Sequence, residues 1–341
     1  MRAFLSRALE HAWYGGGRLS LLLIPVAWLY RVLLAFAKLR GRLRARTMPI
    51  PVVVVGNVTV GGTGKTPMVV WLVQQLQAAG FNPAVITRGY LGSVSERSDS
   101  SGPLLVSAEA SAAKFGDEAV LLARQLPRCP VVAGADRAAN VAFVLRQTSA
   151  DVVVSDDGLQ HFALLPTCAI AVVDGQRGLG NGRLLPAGPL REPATRLDAV
   201  DTVLVNGGHW TWPGAVRFEL QCIQVTQLVD GERRSLEDFK GARVHALAAI
   251  GNPQRFFSML RTAGCDVDAH AWPDHAAIPA QAMQFNDGAP VLITAKDAVK
   301  CPQPLPRGVW MVDVEVRIDA QARSEVMRTI LASIGRAAQS Q

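Results

Sequence analysis

The chain is poor in cysteine, and its five cysteines are scattered rather than paired. No Cys-x-x-Cys sequence occurs, which argues against a zinc site and against a thioredoxin-like redox motif. An odd number of unclustered thiols is typical of a protein in a reducing cytosol. Charged residues are also few, at 18% of the 341 positions, whereas apolar residues make up 49%. This composition excludes a disordered or fibrous chain.

Acidic residues are almost missing from the first 47 positions. This N-terminal arm holds nine basic side chains and one acid, Glu10, whereas the other residues carry 26 basic and 27 acidic side chains. The net charge of +7 therefore belongs to the arm. Two partners would fit it, a nucleic acid or an anionic membrane surface.

From residue 51 onward, short β-branched runs alternate with helix-length segments. The predicted strands are 52–55, 84–87, 130–133, 152–155, 170–174 and 202–206, followed after a turn segment by 244–250, 290–294 and 309–314. Near-continuous apolar strands separated by helices are typical of a parallel sheet covered on both faces. We therefore predict an α/β fold, with a mostly parallel sheet of the phosphate-loop NTPase type and helices on both faces.

Three parts of the chain are expected. Residues 1–47 would form a membrane-associated basic and apolar helix, residues 48–213 the phosphate-loop domain, and residues 214–341 a smaller α/β domain. The boundary is placed at the Gly- and Trp-containing segment 207–214. Residues 91–103 are rich in Ser and Gly, which predicts a mobile loop.

A glycine-rich segment follows the first predicted strand and opens a helix. Its predicted nucleotide-binding residues are Thr59, Gly61, Gly62, Thr63, Gly64, Lys65 and Thr66. Glycines let backbone N–H groups surround phosphate oxygens. The lysine can reach the β- and γ-phosphates, and the last threonine can bind Mg²⁺. The strict pattern has a glycine where Thr59 stands, but the strand, the glycines and the Gly-Lys-Thr sequence together predict an ATP site.

Two acids end a later apolar strand. Asp156 and Asp157 follow the run 152–155, at the carboxyl edge where open α/β sheets bind ligands. A phosphate-loop fold holds its metal at such a strand end. Asp-Asp-Gly also suits a plain turn, but with a phosphate loop upstream we favour a Mg²⁺ site made by Thr66, Asp156 and Asp157.

The apolar part of the arm, residues 19–37, has three possible structures. A secretory signal is excluded, because it would export a chain that needs ATP. A transmembrane span needs about 20 apolar residues, and Arg31 near its centre would cost roughly 2.5–3.5 kcal/mol. A soluble core helix is the second alternative. We favour the third, a helix lying in one leaflet with its flanking arginines on lipid phosphates.

Weaker signals lie elsewhere in the chain. Asp117 opens a predicted helix, where it could also be an ordinary cap. His275 follows an aspartate, an arrangement that can orient a base. The Pro- and Gly-containing run 184–192 ends in Arg191 and Glu192, which could bind a phosphate or form a surface ion pair.

These motifs together resemble the tetraacyldisaccharide 4′-kinase family, the lipid A 4′-kinases of Gram-negative bacteria. The matching blocks are GNVTVGGTGKTP (56–67), TRGY (87–90), GDEA (116–119), ADR (135–137), SDDGLQH (155–161), LPAGPLREP (185–193), IGNPQRFF (250–257), PDH (273–275) and TAKDAVK (294–300). They are collinear and cover nearly the whole chain. Ala276 and Ala295 depart from the family, which usually has a second ring and a glutamate there.

The resemblance implies transfer of the γ-phosphate of ATP to the 4′-hydroxyl of a tetraacylated disaccharide, with Mg²⁺, at the cytoplasmic face of the inner membrane. Since Asp156 and Asp157 are better placed for metal, Asp117 of the GDEA block is the expected catalytic base, with His275 orienting it and Lys65 at the phosphates. Substrate contacts are expected from three further residues of matching blocks, Arg88, Arg191 and Glu192.

Two other functions remain possible from the sequence. A membrane-attached switch ATPase also carries a Gly-Gly-x-Gly-Lys-Thr loop, but it has no need of the run 184–192 or of a distant Asp-His pair. A nucleic-acid binder would use the basic arm and show a steep salt dependence. We expect no nucleic acid and no obligate protein partner.

Overall fold

The computed structural model describes residues 2–17, 19–89, 102–302 and 304–339. The predicted mobile loop at 91–103 lies almost wholly outside these residues, so it stays a prediction. Thirteen strands and ten α-helices are found in the described part of the chain.

The helices and strands have the following bounds. The helices are α1 (Arg2–Tyr14), α2 (Leu19–Leu22), α3 (Ile24–Leu43), α4 (Lys65–Ala78), α5 (Ala112–Phe115), α6 (Asp117–Gln125), α7 (Arg137–Gln147), α8 (Pro253–Thr262), α9 (Ala295–Ala298) and α10 (Ala320–Gln339). The strands are β1 (Val52–Gly56), β2 (Pro83–Thr87), β3 (Leu104–Leu105), β4 (Val131–Ala133), β5 (Val152–Asp156), β6 (Cys168–Asp174), β7 (Thr202–Asn206), β8 (Val216–Gln227), β9 (Arg233–Arg234), β10 (Arg243–Ala248), β11 (Asp266–Ala271), β12 (Val291–Thr294) and β13 (Val309–Arg317).

The described strands form one continuous sheet in the order β11-β10-β12-β13-β8-β7-β6-β1-β5-β2-β4-β3, with β9 paired to β8. All pairs between β8 and β4 are parallel, and the edge strand β3 runs antiparallel to β4. Strands β1, β5 and β6 are buried at every position, as expected for a sheet covered on both faces. The predicted α/β fold with a large, mostly parallel sheet is confirmed.

The long strand β8 connects two groups of strands. Its first residues pair in parallel with β7, and its later residues pair antiparallel with β13. Beyond β13, strands β12, β10 and β11 are again parallel to their neighbours. A two-domain division near residue 214 stays a prediction. However, α10 returns to the first group, because Val326, Ile330 and Ile334 share a hydrophobic core with Val53 and Leu72.

Several predicted boundaries differ from the observed ones for local reasons. The helix expected from Pro67 begins at Lys65, because Gly64 adopts a left-handed conformation (φ 94°) that ends the loop there. The sequence did not predict β11, whose residues are all exposed or half-buried and include two aspartates and a histidine. Such a polar edge strand lacks the apolar run that marks a central strand.

The N-terminal arm consists of α1, α2 and α3, and α3 contains no buried residue. This excludes the alternative of a core helix. Large apolar side chains of α2 and α3 are exposed, namely Leu19, Leu21, Leu22, Val26, Trp28, Leu29, Val32, Leu33, Phe36, Leu39 and Leu43. None of the described helices has the length and apolar character needed to cross a bilayer.

The arm is fastened to the rest of the protein by polar contacts. The Tyr30 hydroxyl donates a hydrogen bond to the carbonyl of Arg191 (2.8 Å), and Nζ of Lys38 lies 2.7 Å from Oε2 of Glu192. Nε1 of Trp13 donates to the carbonyl of Pro186 (2.9 Å). All three contacts reach the run 184–192, so the arm and this run are positioned together.

Candidate active site

The phosphate loop occupies the turn between β1 and α4. Gly61 and Gly64 have φ angles of 103° and 94°, which residues with side chains rarely adopt. The loop is held from outside, because Nδ2 of Asn206 donates to the carbonyl of Thr63 (3.0 Å) and Thr59 forms an antiparallel bridge with Leu190. Backbone N–H groups at the start of α4 therefore face the carboxyl edge of the sheet, where they can bind phosphate oxygens.

The segment after β10 closes over this loop. The Cα of Gly251 lies so near the backbone of Gly61 and Gly62 that an added Cβ would collide with the nitrogen of Gly62. The position is fixed by Nη1 of Arg177, which donates to the carbonyl of Gly251 (2.9 Å). The two groups of strands therefore meet at the phosphate loop.

A second set of contacts joins the same two groups. Asp174, at the end of β6, is buried and accepts a hydrogen bond from Nδ2 of Asn252 (2.8 Å). The same carboxylate forms an ion pair with Arg255, in the first turn of α8. Neither contact was predicted from the sequence, because each joins residues about 80 positions apart, and the presence of Asn252 and Arg255 in the block 250–257 does not say which distant residue they contact.

Lys65 and Arg191 converge on one of the two predicted metal-binding acids. Nη1 of Arg191 lies 2.9 Å from Oδ2 of Asp157, and Nζ of Lys65 lies 3.7 Å from Oδ1. Burial opposes ionisation of Asp157, but the two cations lower the pKa of its carboxyl below the usual value. The carboxylate is thus neutralised by two side chains of the chain itself.

Asp156 differs from Asp157 in its partners and in the direction of its pKa shift. It is 1% exposed, and neither carboxylate oxygen has a hydrogen-bond partner among the described residues. Burial, with the nearby charges of Glu118 and Asp157, raises the pKa of Asp156 to about 7. A buried carboxylate without partners is costly to ionise, and a cation bound to it would remove that cost. Mg²⁺ prefers such oxygen ligands, so the Asp156 carboxylate fits a magnesium ion, and the hydroxyl of Thr66 in the first turn of α4 is the further oxygen that the phosphate-loop motif supplies.

Asp117 and His275 come from the two different groups of strands and contact each other. Nδ1 of His275 lies 3.0 Å from Oδ2 and 3.2 Å from Oδ1 of Asp117, although 158 positions separate the two residues. Asp117 begins α6 and is buried, whereas His275 follows β11 and is half exposed. The sequence expectation that these residues lie near each other is met, while their catalytic role is not tested by this contact.

Two non-glycine residues in the described chain have a positive φ angle, Asp157 (48°) and His275 (61°). For residues with a Cβ this conformation is disfavoured, and such backbone strain concentrates at functional sites. Both residues belong to the cluster around the phosphate loop. The strain therefore marks the same region that the motifs indicate.

Two lysines of the TAKDAVK block surround the Asp117 carboxylate. Nζ of Lys296 and Nζ of Lys300 lie 3.9 Å and 3.8 Å from Oδ2 of Asp117. Lys296 also donates to Oε1 of Glu118 (2.9 Å). Burial would raise the pKa of Asp117, but the hydrogen bond from His275 and the two ammonium groups lower it to about 2. Asp117 is therefore ionised throughout the physiological range.

The partner of Asp117 is shifted in the opposite direction. The hydrogen bond to Asp117 raises the pKa of His275, while burial and Lys296 oppose the shift. The pair therefore keeps a shared proton on the imidazole more readily than an isolated histidine would. The sequence supplied Lys296 and Lys300 only as members of a family block, and their position beside Asp117 is visible only in three dimensions.

Two predicted substrate contacts have different surroundings from those expected. Glu192 is fully buried, where it binds Lys38 and accepts a hydrogen bond from Nε2 of Gln160 (2.9 Å). This placement joins the arm to the site and does not present Glu192 to a ligand. Arg191 does not pair with Glu192, because it points to Asp157 instead. Arg88 is exposed just beyond β2, at the edge of the undescribed residues.

Comparison with known proteins gives one consistent answer. The family described as LpxK, tetraacyldisaccharide-1-P 4′-kinase, matches residues 19–332. The tetraacyldisaccharide 4′-kinase of Methylobacillus flagellatus is 41% identical over 329 residues, covering 94% of this chain and 95% of that protein. That of Alcanivorax borkumensis is 44% identical over 317 residues, with coverages of 91% and 93%.

A solved structure is similar over almost the same length. It is LpxK from Aquifex aeolicus in complex with ATP, with a TM-score of 0.74 and 28% sequence identity. The likeness covers 93% of this chain and 99% of that one. The family match over residues 19–332 includes both groups of strands and the segments that meet at the phosphate loop.

Proposed function

The chain belongs to the tetraacyldisaccharide-1-P 4′-kinase family, and from that premise we propose how its residues carry out the kinase reaction of lipid A biosynthesis. The reaction moves the γ-phosphoryl group of ATP to the 4′-hydroxyl of a tetraacylated glucosamine disaccharide 1-phosphate. The contact between Asp117 and His275 carries the proposal, because it joins the two groups of strands beside a phosphate loop.

The phosphate loop is the proposed ATP site. Residues 59–66 would hold the phosphates through backbone N–H groups, and Lys65 would place its ammonium group at the transferring phosphate. In the present structure Lys65 lies 3.7 Å from Asp157. The Asp157 carboxylate thus keeps Lys65 oriented toward the site before ATP binds. A triphosphate that enters the loop would compete with this carboxylate for the lysine.

Asp156 and Thr66 are the proposed Mg²⁺ ligands. The orphaned and buried oxygens of Asp156 support this assignment. When held there, Mg²⁺ would supply positive charge that neutralises the negative charge developing on the phosphates during transfer. Asp157 is a weaker candidate ligand than the sequence indicated, because Arg191 and Lys65 already neutralise it. We assign Asp157 to orienting those two cations.

The acceptor hydroxyl must lose its proton during transfer. Its oxygen forms the new bond to the γ-phosphorus, the bond from that phosphorus to the β-phosphate oxygen breaks, and ADP leaves. Asp117 would accept the proton, and the pair would then hold it on His275, since the pKa of Asp117 is lowered and that of His275 is raised. Lys296 and Lys300 would position the Asp117 carboxylate.

The acceptor is a lipid, and the arm fits delivery from a membrane surface. The exposed apolar side chains of α2 and α3 would enter one leaflet, with arginines of the arm on lipid phosphates. Lys38 and Tyr30 connect α3 to Glu192 and Arg191. Arg191 and Arg88 would contact the anionic part of the acceptor. For a bacterial kinase that uses ATP, the proposed location is the cytoplasmic face of the inner membrane.

Mass spectrometry tests the reaction. The protein is incubated with ATP, Mg²⁺ and a disaccharide acceptor that has a free 4′-hydroxyl, and the acceptor is expected to gain one phosphate. The matched reaction uses the Asp117→Asn variant, which should give little product. ATP hydrolysis that proceeds equally well without acceptor, and with no phosphorylated lipid, would favour a switch ATPase and overturn the proposal.

A further inference from the structure

A second group of potential metal ligands lies on β10 and β11. His245 is in β10, and Asp268 and His270 stand two positions apart in β11, so their side chains project from the same face of the sheet. His245 and Asp268 are direct partners in the parallel register. These residues belong to none of the motifs of the kinase site.

The distances between the donor atoms match a tetrahedral ion. Nδ1 of His245 lies 3.2 Å from Nε2 of His270 and 3.4 Å from Oδ2 of Asp268. Nε2 of His270 lies 3.6 Å from Oδ1 of Asp268. Ligands about 2.0–2.2 Å from Zn²⁺ at tetrahedral angles are about 3.3–3.6 Å apart. The three side chains are therefore already spaced for one shared ion.

The surroundings of His245 fix which nitrogen is available. Its Nε2 lies 3.0 Å from Oδ2 of Asp287, an acceptor, and this shorter contact favours the tautomer in which Nδ1 turns its lone pair to the cluster. A carboxylate on the far nitrogen of a histidine is the usual outer partner of a zinc ligand. The ring of Phe285 stacks on His245 at 3.5 Å, which locks the orientation of the buried imidazole.

One cation of the chain already lies at this cluster. Arg243 is within 3.4 Å of Asp268 and 3.6 Å of Asp287, but its side chain is 58% exposed. Its guanidinium contacts the carboxylates and leaves the two imidazole nitrogens facing each other. A purely ionic network is therefore the competing explanation, and it predicts no uptake of metal.

From these contacts we infer that His245, Asp268 and His270 form a binding site for a divalent transition-metal ion, with Zn²⁺ as the best match. Two imidazoles and one carboxylate suit Zn²⁺ better than Mg²⁺ or Ca²⁺, which prefer oxygen ligands. The lack of Cys-x-x-Cys sequences does not argue against this site, because all three ligands are His or Asp. The ion would join β10 to the edge strand β11, whose end leads to His275.

Metal uptake by the untagged, full-length protein tests the inference. The protein is stripped with a chelator and titrated with Zn²⁺, or with Co²⁺ as a spectroscopic probe. We expect one ion per chain, visible d–d absorption typical of tetrahedral Co²⁺, and a raised Tm. Asp268→Asn and His270→Ala should abolish this binding, whereas Asp287→Asn should weaken it about 10–100-fold. Asp268→Asn changes shape little, so it remains informative if His270→Ala folds poorly.

Two matched controls separate this cluster from other weak sites. Asp266→Asn alters an exposed aspartate of the same strand, and His209→Ala removes an exposed histidine elsewhere. Both controls should retain one ion. The inference is overturned if the wild-type protein takes up no ion at micromolar metal, or if Asp268→Asn and His270→Ala still bind as the wild type does.

Discussion

Nδ1 of His275 lies 3.0 Å from Oδ2 of Asp117, so the segment after β11 contacts the first residue of α6 beside the phosphate loop. If this pair is the catalytic base, Asp117→Ala and His275→Ala should each lower kcat by about 10²–10⁴. The affinity for ATP should change little, since the phosphate loop holds the nucleotide. Steady-state kinetics with acceptor and ATP varied separately measures both effects.

The double variant decides whether the two residues act together. Groups that work as one unit have effects that are far from additive. We therefore expect Asp117→Ala with His275→Ala to be about as slow as the slower single variant. His209→Ala, which removes an exposed histidine, should leave kcat unchanged. Independent multiplication of the two losses would contradict a coupled base.

The pKa shifts of the pair give a pH dependence with a definite sign. Asp117, with a pKa lowered to about 2, stays ionised, so the proton that is lost as pH rises comes from His275. The hydrogen bond to Asp117 raises the pKa of His275 above its usual value near 6.5. The pair can accept the hydroxyl proton only after losing this one, so kcat should rise as pH passes through the raised value.

The pH–rate profile of His275→Gln is the matching control. It should lack the rising limb assigned to His275, while any limb due to ATP or to Mg²⁺ binding persists. A wild-type profile that falls through this range, or an unchanged limb in the variant, would argue that His275 does not share the transferred proton.

Asp156 should show opposite effects on stability and on magnesium use. Its pKa is raised to about 7 from an unfolded value near 3.9, so the folded state binds more protons between these values. The stability of the Mg²⁺-free protein therefore falls as pH rises from about 4 to about 7. Asp156→Asn removes that loss of stability, so the increase in Tm of the variant over the wild type should be larger at pH 8 than at pH 5.

The same substitution removes the proposed ligand. Asp156→Asn should raise the Mg²⁺ concentration for half-maximal activity by about 10-fold or more. Asp198→Asn, a change at an exposed aspartate, should alter neither property. An unchanged Mg²⁺ requirement together with the expected gain in stability would show that the buried carboxylate is not a magnesium ligand.

The central strands and the phosphate loop were predictable because their signals are local. The run 52–55 is continuous and β-branched, and glycines directly follow it, so the strand, the turn and the helix start appear in one short segment. Asp156 was likewise found at the end of an apolar strand. The sequence could not predict that its buried oxygens lack hydrogen-bond partners, because that depends on which side chains other segments bring nearby.

The rest of the site depends on contacts between distant segments. Gly251 meets the phosphate loop, and Lys296 and Lys300 surround Asp117, through the packing of one group of strands on the other. Neither the hydrophobic periodicity of the sequence nor the spacing of its motifs predicts such contacts. Glu192 was misleading for the same reason, since a charged residue in a Pro- and Gly-containing run suggests exposure, whereas this one is fully buried under Lys38.

The exposed face of α3 should govern membrane binding. Leu29, Leu33 and Phe36 are 59%, 59% and 65% exposed, so replacing all three by Ser should disturb no core packing. Fully burying each apolar side chain contributes about 1.5–3 kcal/mol, so the loss in vesicle affinity should exceed about 10²-fold. Flotation with vesicles containing anionic lipid measures it.

A matched control uses leucines outside the arm. Leu145→Ser with Leu165→Ser also removes exposed apolar side chains, which are 37% and 45% accessible, but should not reduce flotation. The Tm of both variants should stay near the wild-type value. If the α3 variant still floats as well as the wild type, the membrane contact lies on another surface.

Gly251 tests whether the close approach of the two groups of strands is needed for nucleotide binding. An added Cβ would meet the backbone nitrogen of Gly62, which cannot move without distorting the phosphate loop. Overpacking of this kind typically costs about 1–3 kcal/mol, so Gly251→Ala should weaken ATP binding about tenfold or more. Calorimetric titration with ATP measures the change.

Gly335→Ala is the control, because nothing lies within 4 Å of its added Cβ in α10. Alanine there should stabilise the helix by up to about 1 kcal/mol without affecting ATP. Since Gly251 has no left-handed φ, a loss of ATP affinity in Gly251→Ala would arise from the collision and not from backbone strain. Unchanged ATP affinity would mean that the segment moves away from the loop when the nucleotide binds.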